Sequence, residues 1–253
     1  MKGGKIMEES NKEKLVFLRE VINRSRYMVC LFGVGIGSQC GCTNYRDEDD
    51  SYDIEEKYGY SPDEMFNVTF FNTRVDRFYD FYKKDMINNL GTVGEGLYCL
   101  KRLEEQGKLK SIITRDIFSL PRRAGCQNVY ELHGSVYRNF CPHCGMQYPV
   151  EYIQNSRGVP RCESCGSVIR PGVSLVGEMV DNALISRAAE EVRKADTLLV
   201  IGCNLKASLT NTFLRYFEGD ELVLINKDEH FADNIADLVI HGNPMDILKD
   251  LGI

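Results

Sequence analysis

Two Cys-x-x-Cys pairs, Cys141-Pro-His-Cys144 and Cys162-Glu-Ser-Cys165, stand 17 residues apart. No other feature limits the fold so sharply. Each pair offers two sulfurs from one tight turn, and four thiolates close a tetrahedral zinc site with no position left for chemistry. Gly145 and Gly166 follow the second cysteine of each pair, where a zinc knuckle needs a permissive backbone. Two disulfides, or a redox Cys-x-x-Cys, is the alternative. Two matched pairs, each followed by glycine, argue against it. The expected ligands of a structural Zn2+ are therefore Cys141, Cys144, Cys162 and Cys165.

A module of this size cannot occupy a chain of 253 residues. The remainder is long enough for one large domain carrying the module as an insert. The net charge of −6 disfavours a general nucleic-acid or anionic-membrane surface, so no nucleic-acid partner is expected and the zinc module is not read as a DNA grip. The other six cysteines, Cys30, Cys40, Cys42, Cys99, Cys126 and Cys203, are scattered in the manner of intracellular free thiols. The polar first residues lead into no apolar signal region, and no apolar run approaches the ~20 residues of a membrane span. A cytoplasmic protein without a membrane partner is the expectation.

Apolar spacing through Leu15, Leu18, Val21 and Ile22 predicts a helix over 15–28. Val29 to Phe32 reads as a buried strand running into Gly33-Val-Gly-Ile-Gly37, a glycine-rich turn of the kind that lets backbone approach a pyrophosphate. It reads equally well as a plain structural turn. Residues 38–60 are polar, acidic and irregular, which suits a lid or a solvated loop. Ser61-Pro62-Asp63-Glu64 has the form of a helix N-cap with proline at the first helical position. Residues 72–88 carry an aromatic helical face expected to be core. A helix follows over 94–107, then strands at 111–114 and 128–132, with His133 just beyond the second. After the cysteines comes an extended run, Arg170 to Glu178. It leads to a helix over 182–194, a strand over 197–201, a helix over 209–217, strands at 222–225 and 238–240, and a helix over 244–251. Alternating strands and helices make this an α/β chain, a Rossmann-like doubly wound parallel sheet with a small inserted zinc-ribbon module. Ligands in such sheets sit beyond the carboxyl ends of the strands. That places Gly33–Gly37, Arg115–Phe118, His133, Gly202–Asn204 and Asn226 at one edge.

These strand-end residues, in this order around four cysteines, resemble the sirtuin (Sir2-like) family over residues 12–251. Gly33-Val-Gly-Ile-Gly37 is similar to the family's Gly-Ala-Gly-Ile-Ser. Gln39, Gly41 and Tyr45-Arg46 fall where the family has Glu-Ser-Gly-Ile-Pro-x-Phe-Arg. Asn128-Val-Tyr-Glu-Leu-His133-Gly resembles the catalytic-histidine motif. Arg170-Pro-Gly-Val and Gly177-Glu178 resemble the segment that pairs with an acyl-lysine peptide. Ile201-Gly-Cys-Asn-Leu205 resembles Gly-Thr-Ser-Leu, and Leu224-Ile-Asn226 the ribose-contacting Ile-Asn. The resemblance implies an NAD-dependent protein lysine deacylase with an acylated protein or peptide as substrate. The acyl oxygen attacks the nicotinamide ribose carbon, nicotinamide leaves, and His133 acts as general base on a ribose hydroxyl, a task suited to an imidazole with an ordinary pKa near ~6.5. It further implies that NAD is bound by Gly33, Val34, Gly35, Gly37, Tyr45, Arg46, Arg115, Asp116, Gly202, Cys203, Asn204 and Asn226. The implied organisation is a disordered tail over 1–12 and an NAD-binding domain over 13–136 and 171–253. A zinc module over 137–170 and a helical or lid insert around 38–90 complete it.

One run departs from the pattern. The family's Thr-Gln-Asn-Ile-Asp-Gly-Leu-His is Thr114-Arg-Asp-Ile-Phe-Ser-Leu-Pro121 here. Asp116 keeps an acceptor but loses amide donors, Phe118 cannot accept a hydrogen bond, and Arg115 brings a cation. Gly37, Cys203-Asn204 and the small Ser174-Leu175-Val176 also differ. ADP-ribosyl transfer, or a non-catalytic module binding NAD or ADP-ribose, is the alternative function; whether the chain is an enzyme stays open at this point.

Overall fold

The computed structural model describes residues 3–44 and 48–253. Its centre is a six-stranded sheet in the order β3-β2-β1-β6-β7-β8, parallel at every pairing. Helix α1, Gly3–Arg24, precedes β1, Met28–Phe32. Then come α2, Gly35–Gln39, α3, Glu48–Tyr58, α4, Pro62–Met65, α5, Val68–Thr73, and α6, Val75–Phe81, which runs into a π turn at Tyr82–Met86. Helix α7, Glu95–Glu105, leads to β2, Leu109–Thr114, α8, Leu120–Arg123, and β3, Val129–Glu131. The hairpin β4, Asn139–Phe140, and β5, Gln147–Tyr148, with α9, Val150–Asn155, builds the cysteine module. The chain returns through α10, Asn182–Lys194, β6, Thr197–Ile201, α11, Ser208–Phe213, β7, Glu221–Asn226, β8, Leu238–His241, and α12, Pro244–Asp250.

Strand periodicity sorts the apolar residues into two cores. Cys30, Phe32, Leu199, Ile201, Val223 and Ile225 face one side, where α1, α7 and α12 cover them. Val29, Leu31, Leu198, Val200, Leu222 and Leu224 face the other, under α10 and α11. Successive side chains of a strand point to opposite faces, so strands apolar at every position must be covered on both. Each buried Leu or Ile contributes ~1.5–3 kcal/mol of transfer free energy.

Four local expectations need correction. The polar opening expected to be disordered over 1–12 is helical from Gly3, and Asn11 Nδ2 donates to the His241 carbonyl at 3.1 Å. The supposedly irregular lid contains α3, which over its described side chains, 51–58, buries Ile54 and half-buries Ser51 and Tyr58. That is too little to register as periodicity. Part of the Gly33–Gly37 turn is already the first turn of α2. The aromatic helix over 72–88 is broken at Arg74 and widened into the π turn near its end. Its residues are nonetheless core: Phe78, Tyr79, Phe81 and Tyr82 are fully buried, and Phe78 packs edge-on against Phe71 at 5.0 Å between centroids. Ser61 does cap α4, in a reciprocal capping box with Glu64.

Candidate functional site

The sheet's order reverses between β1 and β6, and the loops leaving these two strands are locked together. Gly33 N–H donates to the Ile201 carbonyl at 2.8 Å. A Cβ on Gly33 would lie 2.3 Å from the Gly202 carbonyl oxygen, and one on Gly35 would lie 2.8 Å from it. Gly202 has φ +66, and a Cβ there would meet the Ile36 side chain at 2.4 Å. Only glycine lets these loops pass so closely. On the other side of β1, Thr114 Oγ1 donates to the Phe32 carbonyl at 2.9 Å and accepts from Asp116 N–H at 2.9 Å. Three strand ends are thereby tied into one rim.

Beyond that rim lies a cavity of about 460 Å3. Of the residues expected to bind a nucleotide, Gly33, Val34, Gly37, Arg115, Asp116 and Cys203 line it, and His133 lines it too. Gly35 and Gly202 stand behind the wall as packing residues. Asn204 and Asn226 do not line it: Asn204 Oδ1 accepts from Lys206 N–H at 2.9 Å, and Asn226 Nδ2 donates to the Asp228 carbonyl at 2.9 Å. Tyr45 and Arg46 lie outside the described residues.

Asp116 is buried. Its Oδ2 accepts from the N–H of Phe118 at 3.1 Å and of Leu120 at 3.5 Å. Loss of water around the carboxyl outweighs those bonds and pushes its pKa up to about 6. Phe118, also buried, makes the next part of the wall. The apolar packing around Cys203 pushes its thiol up to about 12, so at neutral pH it is a protonated, weak donor. Arg115 Nη1 donates to Ser208 Oγ, and both line the cavity.

His133 enters from the loop after β3. Its carbonyl accepts from Ser174 N–H at 2.9 Å, and Gly134 pairs antiparallel with Val173. The extended segment after the cysteine module is therefore zipped to the histidine loop along one edge. Along another, Val68 N–H donates to the Val176 carbonyl at 3.1 Å and Val176 N–H to the Phe66 carbonyl at 2.9 Å. Arg170 Nη2 meets Glu178 Oε1 at 2.6 Å, and Glu178 Oε2 accepts from Leu175 N–H at 2.8 Å. Phe66, Leu175, Val176 and Glu178 are thereby held together as part of the cavity lining. Phe66 and Ser208 carried no motif in the sequence and were not singled out there. Nothing in the order of residues announces that a cap residue of a four-residue helix will reach an extended segment 110 positions away.

The four zinc cysteines converge. Their sulfurs lie within 4.8 Å of one another, Cys141–Cys165 at 3.4 Å, Cys144–Cys162 at 3.5 Å and Cys144–Cys165 at 3.8 Å. Zn–S bonds of ~2.3 Å in a tetrahedron put the sulfurs ~3.8 Å apart, so the donor set fits zinc. The two turns are near copies: Gly145 N–H donates to the Cys141 carbonyl and Gly166 N–H to the Cys162 carbonyl, both at 2.9 Å. The two glycines have φ of +76 and +74. Tyr148 OH donates to Cys162 Sγ at 3.2 Å, the outer-shell support a bound metal requires. These residues would hold Zn2+ as a structural ion.

Comparison with known proteins agrees with this geometry. The model of the Sir2 family matches residues 33–208. An NAD-dependent protein deacetylase of Clostridium acetobutylicum is 37% identical over 90% of this chain and 94% of its own. One of Clostridium perfringens is also 37% identical, with the same coverage. A solved structure of Sir2 with a p53 peptide and NAD+ superposes with a TM-score of 0.76 at 30% identity, covering 93% of this chain and 95% of that one. A second sirtuin structure, from work on substrate affinity, gives 0.81 at 29% identity, over 93% and 96%.

Proposed function

The chain belongs to the Sir2 family, and from that premise we propose that it is an NAD-dependent protein lysine deacylase. One observation carries the reading: a histidine, a glycine-locked strand crossing and the extended segment zipped to the histidine loop converge on a single cavity at the sheet's switch point. The co-substrate NAD lies along the carboxyl edge, with Gly33, Val34, Gly37, Tyr45, Arg46, Arg115, Asp116 and Cys203 as its proposed contacts; Gly35 and Gly202 shape the rim behind them, and Asn204 and Asn226 stand at the strand ends beside the cavity. The acyl-lysine enters past Phe66, Leu175 and Val176. Its acyl oxygen bonds to the ribose carbon as the bond to nicotinamide breaks, and His133 takes the proton of a ribose hydroxyl. Cys141, Cys144, Cys162 and Cys165 hold zinc away from this chemistry.

Residues 13–136 and 171–253 are proposed as the nucleotide-binding domain and 137–170 as the zinc module. Among the described residues no helix is long and apolar enough to cross a membrane, and the six cysteines outside the zinc site form no disulfide. Free thiols support a cytoplasmic location.

Phe118 favours a second reading, in which the site holds ADP-ribose or NAD without deacylation, or transfers ADP-ribose. Nicotinamide release from NAD, with and without an acetyl-lysine peptide, in wild type and His133→Ala, separates the two. Release that needs both peptide and His133 supports the deacylase. Nucleotide-dependent stabilisation without release supports the binding module.

A further inference from the structure

Glu131 ends β3 two residues before His133, yet its side chain turns inward and is only 2% exposed. A carboxylate so buried is costly unless its oxygens are satisfied. Oε2 accepts from Arg122 Nε at 3.2 Å and from Arg138 Nη1. Oε1 accepts from Ser119 Oγ. Ser119 Oγ in turn lies 2.6 Å from Ser135 Oγ, which accepts from Tyr137 N–H at 3.1 Å. A hydroxyl has one proton to give. Ser119 gives its own to Glu131, so Ser135 must donate to Ser119. The direction of the chain is fixed: Tyr137 N–H to Ser135, Ser135 to Ser119, Ser119 to Glu131.

The backbone bends to make this possible. Ser119 has φ +53, the only positive φ of a non-glycine residue among the described residues. That conformation costs an L-residue ~1–2 kcal/mol and persists only where the surroundings over-determine it. The resembling family run has glycine at this point, so the turn is available without a hydroxyl. The hydroxyl is this chain's addition.

The chain of bonds joins two loops. Residues 116–118 form one wall of the cavity, and His133 stands on the other loop. Val136 N–H donates to the Ile117 carbonyl at 3.0 Å, and the Ser119 link closes the same junction from behind. We propose that Ser119, Ser135 and Glu131 are positioning residues that fix His133 against the Ile117–Phe118 wall. The part that His133 plays in turnover rests on the deacylase reading; the positioning itself does not.

The test compares wild type, Ser119→Gly and Ser119→Asn. Glycine accepts the turn and removes the donor. Asparagine tolerates left-handed backbone and offers an amide N–H to Glu131. Thermal melting, the His133 ring-proton NMR signal (assigned by its loss in His133→Ala) and steady-state nicotinamide release are measured on each. Ser119→Gly is expected to melt within a few degrees of wild type, because relieved strain offsets the lost bond. Its His133 signal should move, and kcat should fall about tenfold with KM for NAD within about twofold, the cost of a misplaced catalytic group. Ser119→Asn should restore both. A wild-type His133 signal in Ser119→Gly overturns the proposal. If the wild type itself releases no nicotinamide, the deacylase reading fails, and the NMR signal still decides the positioning.

Discussion

The Gly202 carbonyl oxygen sits where no side chain at position 33 can pass: a Cβ on Gly33 would lie 2.3 Å from it and 2.6 Å from the Cys203 Cβ. The two glycines end neighbouring parallel strands. Their contact lets the nucleotide loop and the 202–209 loop share one rim. Backbone, not a flexible side chain, opposes the new atom, so the loops must separate.

Gly33→Ala should therefore cost at least the ~1–3 kcal/mol of ordinary overpacking. It should also weaken ADP-ribose binding about tenfold or more, because the displaced loop is the one facing the ligand. Differential scanning calorimetry and titration calorimetry measure the two effects. An alanine variant with wild-type melting and affinity would show that the loops part freely.

Asp116 makes stability depend on pH. Its carboxyl is raised from an ordinary 3.8 to about 6 by burial, so between those values the folded state binds more protons than the unfolded one. Stability then falls as pH rises through that window, by roughly 3 kcal/mol when both states are ionised. Asp116→Asn keeps an acceptor for the Phe118 and Leu120 N–H groups and removes the charge. It should melt higher than wild type at pH 8, and the advantage should vanish near pH 4. Equal melting differences at both pH values would place the charge elsewhere.

The cysteine module should carry one zinc per chain, and its removal should be felt beyond it. Tyr79, in the aromatic core of α6, donates its hydroxyl to the Ile169 carbonyl, and Lys83 Nζ donates to the Ser156 and Gly158 carbonyls at 2.9 and 2.7 Å. Thiolate zinc sites supply ~10–16 kcal/mol of folding free energy to small modules. Cys162→Ser, or chelation under mild denaturant, should lower the melting temperature by ten degrees or more and increase exchange of the amides around Ile169. Metal analysis showing less than half a zinc per chain in the native protein would refute the site.

How far the sequence reveals this molecule depends on how local each signal is. Strand β6 is legible to the residue because four apolar positions follow Thr197 between Asp196 and Gly202, and α10 because Asp181 caps it and its spacing is regular. The zinc ligands are legible because a tetrahedron imposes spacing. His133 is legible through the residues around it, not by itself. By contrast, α3 hides in acidic sequence because it buries so little. Ser119 hides because positive φ in a serine answers to Glu131 and Ser135, which lie 12 and 16 residues on. This part of the cavity lining hides for the same reason: Phe66 meets Val176 only through the tertiary fold. Asn204 and Asn226 sit at the expected strand ends, but their amides turn to local backbone.

Phe118 supplies the sharpest functional prediction. It is buried in the cavity wall at the position where the family's run has aspartate. A carboxamide placed against it loses an acceptor, and an unmet buried polar group costs ~1–3 kcal/mol, about ten- to a hundredfold in binding. The neighbouring carboxylate covers that loss only in part, because Asp116 Oδ2 already serves two backbone N–H groups and Oδ1 alone is left to accept, two residues from the position the family uses. ADP-ribose, which lacks the nicotinamide, should then bind at least as tightly as NAD. Free nicotinamide should inhibit weakly. Phe118→Asn, which restores an acceptor without a second charge beside Asp116, should tighten NAD about tenfold while leaving ADP-ribose within about twofold. Titration calorimetry with both ligands on both proteins measures this. Wild-type protein that binds NAD markedly more tightly than ADP-ribose would mean that the pyridine ring finds its partner elsewhere in the pocket.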